Sequence, residues 1–140
     1  VVASRGLGDV YKRQVYGVFD PVGYGADGKY GNEWDMTIWI SDRGIESGRL
    51  KDILIHEAAH AYSYLVLRGC VVPDGSSFRE LAHKRYGDEE HLADVFVLYY
   101  GGKWTNYDGR ENIPIRDRSW MSNMIDYCNL YEEALATLSS

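Results

Sequence analysis

Between Leu50 and Arg68 the apolar residues Leu50, Leu54, Ala58, Ala61 and Leu65 recur at steps of three and four. That spacing commits the stretch to a helix. Inside it stands His56-Glu57-Ala58-Ala59-His60, the pattern H-E-x-x-H. Residues four apart on a helix lie one above the other, so both imidazoles must leave the same face. Two imidazoles at that pitch can reach one tetrahedral zinc ion at roughly 2.0–2.1 Å. Glu57 lies beside that face, where a carboxylate could accept a proton from water at the metal. Any fold for this chain must therefore present one helix with a chemically loaded face.

The rest of the composition narrows the setting. The chain has 140 residues, one domain's worth, with a core that is real but small. The net charge is −6 and no basic stripe is present, which argues against a nucleic-acid partner. No apolar run approaches the eighteen or so residues of a membrane span. Cys70 and Cys128 are the two cysteines, and they lack the C-x-x-C spacing of a zinc site. They allow one disulfide or two free thiols, and the free-thiol alternative is favoured because a lone cysteine on a core stripe is usually a small buried hydrophobe. They leave the compartment open, with a lean toward the extracellular space or cell envelope.

Residues 1–14 stand apart. Ser4 to Gln14, S-R-G-L-G-D-V-Y-K-R-Q, resembles a translated sequencing adapter, so Val1–Gln14 is expected to be a non-native leader. Without its three Lys/Arg and one Asp the remainder carries −8. Residues 15–140 are then a single domain truncated at its N-terminus.

Val15 to Phe19 alternates β-formers and reads as a strand stopped by Asp20-Pro21. Gly23 to Asn32 is a glycine-rich loop. Trp34 to Ile40 alternates, with Trp34, Met36, Ile38 and Ile40 on one side and Asp35, Thr37 and Trp39 on the other. The two strands form a ribbon ahead of the motif helix. Trp39 is then a solvent-side aromatic or a groove wall. Ser47 is the expected N-cap of the motif helix and Gly69 its stop. Ser77-Phe78-Arg79-Glu80 fits a capping box for a helix ending at Gly87. Asp88 caps a further helix, Glu89 to Tyr100. Lys103 to Arg118 reads as a long surface loop. Ser119 to Leu138 carries a stripe of Met121, Met124, Cys128, Tyr131, Leu135 and Leu138, which predicts a last helix packed on the motif helix.

A catalytic zinc site needs a third protein ligand and an open position. The downstream candidates are His83, Glu89, Glu90 and His91. Glu90-His91-Leu92-Ala93-Asp94 puts two carboxylates four apart on one helical face. Acidic residues favour a helix start, but Asp94 lies mid-helix among apolar neighbours, where a buried carboxylate demands partners.

H-E-x-x-H followed by E-x-x-A-D resembles the gluzincin metallopeptidases, the thermolysin-like group, and the short minigluzincin domains. The matching segments are Leu50–Arg68 and Asp88–Tyr100. The resemblance implies that His56, His60 and Glu90 bind zinc, that Glu57 is the general base, and that Asp94 orients His56. His91 is the alternative ligand and His83 a more distant one. It also implies an α+β, zincin-like fold: a small sheet with an edge strand, Trp34–Ile40, packed on the active-site helix, plus two or three further helices. The expected activity is zinc-dependent hydrolysis of a peptide or protein substrate held along that strand. The family's oxyanion-stabilising residue has no clear match, although Tyr62, Tyr99, Tyr107 and Tyr127 are available. The alternative is a regulatory metal-binding domain similar to the ImmA/IrrE group, which recognises one partner protein and has little general protease activity.

Overall fold

The computed structural model describes residues 2–3, 16–20, 36–108, 110 and 112–139. It is an α+β chain with strands β1 (Val2–Ala3), β2 (Gly17–Asp20) and β3 (Thr37–Ile40). The helices are α1 (Asp42–Glu46), α2 (Leu50–Leu65), α3 (Phe78–Tyr86), α4 (Glu89–Tyr99) and α5 (Ile115–Ser139), with a 3-10 turn at Leu67–Gly69. No helix among the described residues is long and apolar enough to cross a membrane. The Gly23–Asn32 loop, and all of the leader except Val2 and Ala3, lie outside the described residues. Two compact units are distinguished, residues 1–61 and 62–140.

In the first unit β2 and β3 form the expected antiparallel ribbon, in register Gly17↔Ile40, Val18↔Trp39, Phe19↔Ile38 and Asp20↔Thr37. Three expectations for β3 are corrected. Met36 has a left-handed φ of 58°, which breaks the extended run, so the strand starts at Thr37. Both of its faces are covered: Trp39 on one and Ile40 on the other are each 2% exposed. Trp39 is therefore neither solvent-side nor a groove wall. Nor is β3 an edge, since Val2–Ala3 pairs with it in parallel on the side away from β2.

Helix α1 is an element the apolar spacing does not announce. Ser41 caps it, accepting from the Gly44 N–H at 3.1 Å while its own hydroxyl donates to the Tyr16 carbonyl. Gly44 lies against that carbonyl so closely that a Cβ would stand 2.4 Å from the oxygen. Ser47 ends α1 and also accepts from the Arg49 N–H, at 3.1 Å, just before α2 begins.

In the second unit α2 stops at Leu65, short of Gly69. The tighter 3-10 turn carries Leu67 and Cys70 into the interior. Cys70 is joined to Cys128 by a disulfide with Cα atoms 5.6 Å apart, the less favoured of the two alternatives the sequence allows. Both sulfurs sit on stretches that read as core, and the sequence could not show that they meet.

The caps of α3 and α4 match the sequence, whereas Ser47, expected to open the motif helix, ends α1 instead. Ser77 accepts from the Glu80 N–H at 3.2 Å to open α3, and Gly87 ends it. Asp88 accepts from the His91 N–H at 2.8 Å to open α4. Helix α5 begins four residues before Ser119, because the Pro114 carbonyl accepts from both Asp117 and Arg118. Its stripe is core at Met121, Met124 and Cys128, whereas Leu135 and Leu138 are exposed.

Candidate metal centre

His56 and His60 project from one face of α2 with their Nε2 atoms 3.1 Å apart and the rings edge to face. Two nitrogens bound tetrahedrally at roughly 2.0–2.1 Å would stand about 3.3–3.4 Å apart. The pair is therefore already spaced for a shared ion. Glu57, one residue on, is buried at 6% exposure. Gly17 of β2 comes up against it: a Cβ there would meet Glu57 Cγ at 3.1 Å and the Trp39 carbonyl at 3.0 Å. A glycine on the strand thus makes the room that the Glu57 stem occupies.

Glu90 and Asp94 share a face of α4 at the four-residue spacing. Asp94 is fully buried between Ala93 and Val95, both also buried. Its Oδ2 accepts three backbone N–H groups, from Asn106, Tyr107 and Asp108. Such a cradle of successive N–H groups satisfies a charge that could not otherwise leave water.

Among the described residues one metal-competent group was found: His56, His60 and Glu90, whose ligand atoms all lie within 4.8 Å of one another. The donor set, two imidazoles and a carboxylate, suits a divalent ion such as zinc. His91 is outside it. The His91 ring instead places Nδ1 2.8 Å from Asp88 Oδ1, and that hydrogen bond raises its pKa above the ordinary value. His83 pairs with Glu89, whose Oε2 also accepts from Ser63 and Arg79.

The four tyrosines separate. Tyr62 donates to Asn129 Oδ1 at 3.0 Å, and burial pushes its phenol up to about 12. The Tyr99 hydroxyl meets Ser122, and Tyr127 donates to the Val71 carbonyl. Tyr107 lies with its ring 6.2 Å from that of His91 and its N–H on Asp94.

Sequence reasoning missed Gly17 and the 106–108 cradle. Gly17 is an ordinary strand glycine until its neighbour is known. The cradle is built from backbone, which carries no side-chain signal. Comparison with known proteins gave no match: no family model, no curated protein and no solved structure resembles the chain.

Proposed function

We propose that this chain is a zinc-dependent peptidase in which His56, His60 and Glu90 hold the metal and Glu57 is the general base. The observation that carries the reading is the grouping of those three donors, with an intact, buried glutamate between the two histidines in sequence. A purely structural zinc site fills its fourth position with another protein ligand and has no use for such a carboxylate. Bound there, zinc would supply a Lewis acid and an acidified water. Glu57 would take the proton from the attacking water and return it to the leaving amine. Asp94 would hold the α4 face that carries Glu90.

A peptide substrate is favoured by the likeness of H-E-x-x-H and E-x-x-A-D to the gluzincins. The Cys70–Cys128 bridge favours an oxidising compartment, as the extracellular space or cell envelope provides.

The test is metal analysis and proteolysis of unfolded protein, with Glu57→Gln as the control. The variant should keep one zinc per chain while losing about 10²–10⁴ in rate, the usual contribution of a positioned acid–base group. Full activity in Glu57→Gln would remove Glu57 as the base. Stoichiometric zinc with no turnover of the wild type would favour the regulatory domain.

A further inference from the structure

Residues 103–114 join α4 to α5 and, where described, contain no helix or strand, yet they supply all three N–H groups of the Asp94 cradle. Unstructured loops of this length are usually mobile. A mobile loop could not keep three N–H donors on one buried oxygen. Something must pin it, and the side chains show what does.

Arg110 is clamped between two carboxylates. Its Nε and Nη2 reach Asp108 Oδ1 and Oδ2, a two-pronged pairing, while its Nη1 donates to Asp117 Oδ2 at 3.0 Å. Both carboxylates are nearly buried, with side chains 7% and 9% exposed. Asp117 belongs to α5, and its other oxygen, Oδ1, accepts from Arg85 of α3 at 2.8 and 3.2 Å. Forked arginine–carboxylate pairs fix orientation as well as distance. Asp108 is therefore gripped by its side chain while its own N–H closes the cradle on Asp94 at 2.9 Å. The chain of contacts runs from α5 through Arg110 and Asp108 to Asp94, one helical turn from Glu90.

We infer that Arg110 is a positioning residue for the metal site: by bolting Asp108 to α5 it sets the cradle that holds Asp94, and so fixes the α4 face from which Glu90 reaches the metal. This rests on the proposed metal site. Arg85 serves as the internal control, because it grips the same Asp117 without touching Asp108.

The experiment is zinc titration against a chromophoric chelator on the full chain, with thermal unfolding of each metal-free protein alongside. The set comprises wild type, Arg110→Ala, Arg85→Ala, Asp94→Asn and the Arg110→Ala/Asp94→Asn double variant. Arg110→Ala should weaken zinc binding by about 10–100-fold, the range seen when groups supporting a ligand are lost. Arg85→Ala should stay within about twofold of wild type, the scatter of uncoupled sites, while still lowering the unfolding temperature. In the Asp94→Asn background Arg110→Ala should add no further loss, because its effect passes through Asp94. If Arg110→Ala does not fold, Asp108→Asn takes its place, keeping the backbone N–H while weakening the clamp, and should lower affinity in the same direction. Wild-type zinc binding with an unchanged Arg110→Ala affinity overturns this inference alone. So does an equal loss in Arg85→Ala, or full additivity in the double variant. A wild type that binds no zinc overturns the metal site itself, and this inference with it.

Discussion

Residues 16–61 and residues 62–139 solve the same problem, holding a working side chain still, by different physical means. Around Glu57 a close steric fit is part of the constraint. Gly17 leaves room for the Glu57 stem, and Gly44 lets α1 settle onto the Tyr16 carbonyl. Around Asp94 the constraint is polar, with three N–H groups on one oxygen and Arg110 clamped between Asp108 and Asp117, and a disulfide ties the same unit elsewhere. Steric fit is short-ranged and unforgiving, and one added methyl group defeats it. A polar clamp tolerates changes of volume but depends on the charge of each member. The two regions should therefore fail under different perturbations.

The largest stability effect should come from the covalent tie. Replacing Cys70 and Cys128 by serine reopens a loop with a sequence separation of 58, which in the chain-entropy model costs about 4 kcal/mol. Denaturant unfolding of the double serine variant measures it. A loss below about 1 kcal/mol would mean that the polar contacts alone hold the helical region.

Gly17→Ala attacks the steric side. The new Cβ would stand 3.0 Å from the Trp39 carbonyl and 3.1 Å from Glu57 Cγ, so its neighbours must give way, and such overpacking should cost about 1–3 kcal/mol. Hydrolysis should fall with the displaced carboxylate while zinc content is kept. Normal activity in a stably folded Gly17→Ala protein would show that Glu57 has slack which the close approach does not suggest.

The smallest effect is expected from acid. Burial alone would raise the Asp117 carboxyl, but hydrogen bonds and charge from Arg85 and Arg110 hold it below the ordinary 3.8. A depressed native pKa contributes stability that is full above the unfolded value and is lost as pH falls through the native one. The wild type should therefore lose stability as the pH drops below about 4, and Asp117→Asn should lack that part of the decline. Parallel acid titrations of the two proteins, followed by circular dichroism, separate the curves; superimposable slopes would remove Asp117 as their cause.

What could be read from the sequence follows the range of the forces involved. The caps at Ser77 and Asp88 were legible because a hydroxyl or carboxylate binds an N–H only three residues away. That His56 and His60 share a face, and Glu90 and Asp94 another, was legible because helical pitch alone sets such pairs; the grouping of Glu90 with the two histidines was expected only from the resemblance. Helix α1 has the same local kind of cap at Ser41, but its 5 residues are too few for an apolar repeat, and its other anchor, Tyr16, lies 25 residues earlier. The burial of Trp39 was hidden because alternation sorts residues onto two faces without saying which is covered, and in β3 both are. The clamp at Arg110 spans 7 residues to Asp117, which in turn lies 32 residues from Arg85. Local spacing rules do not reach that far.

The disulfide also sets a timetable for biosynthesis. Cys70 leaves the ribosome 58 residues ahead of its partner, which at about 5–20 residues per second is a wait of roughly 3–12 seconds. During that interval Cys70 waits without the partner it has in the folded protein. The bridge can close only once most of α5 has been made, so the helical region is tied late in synthesis rather than early.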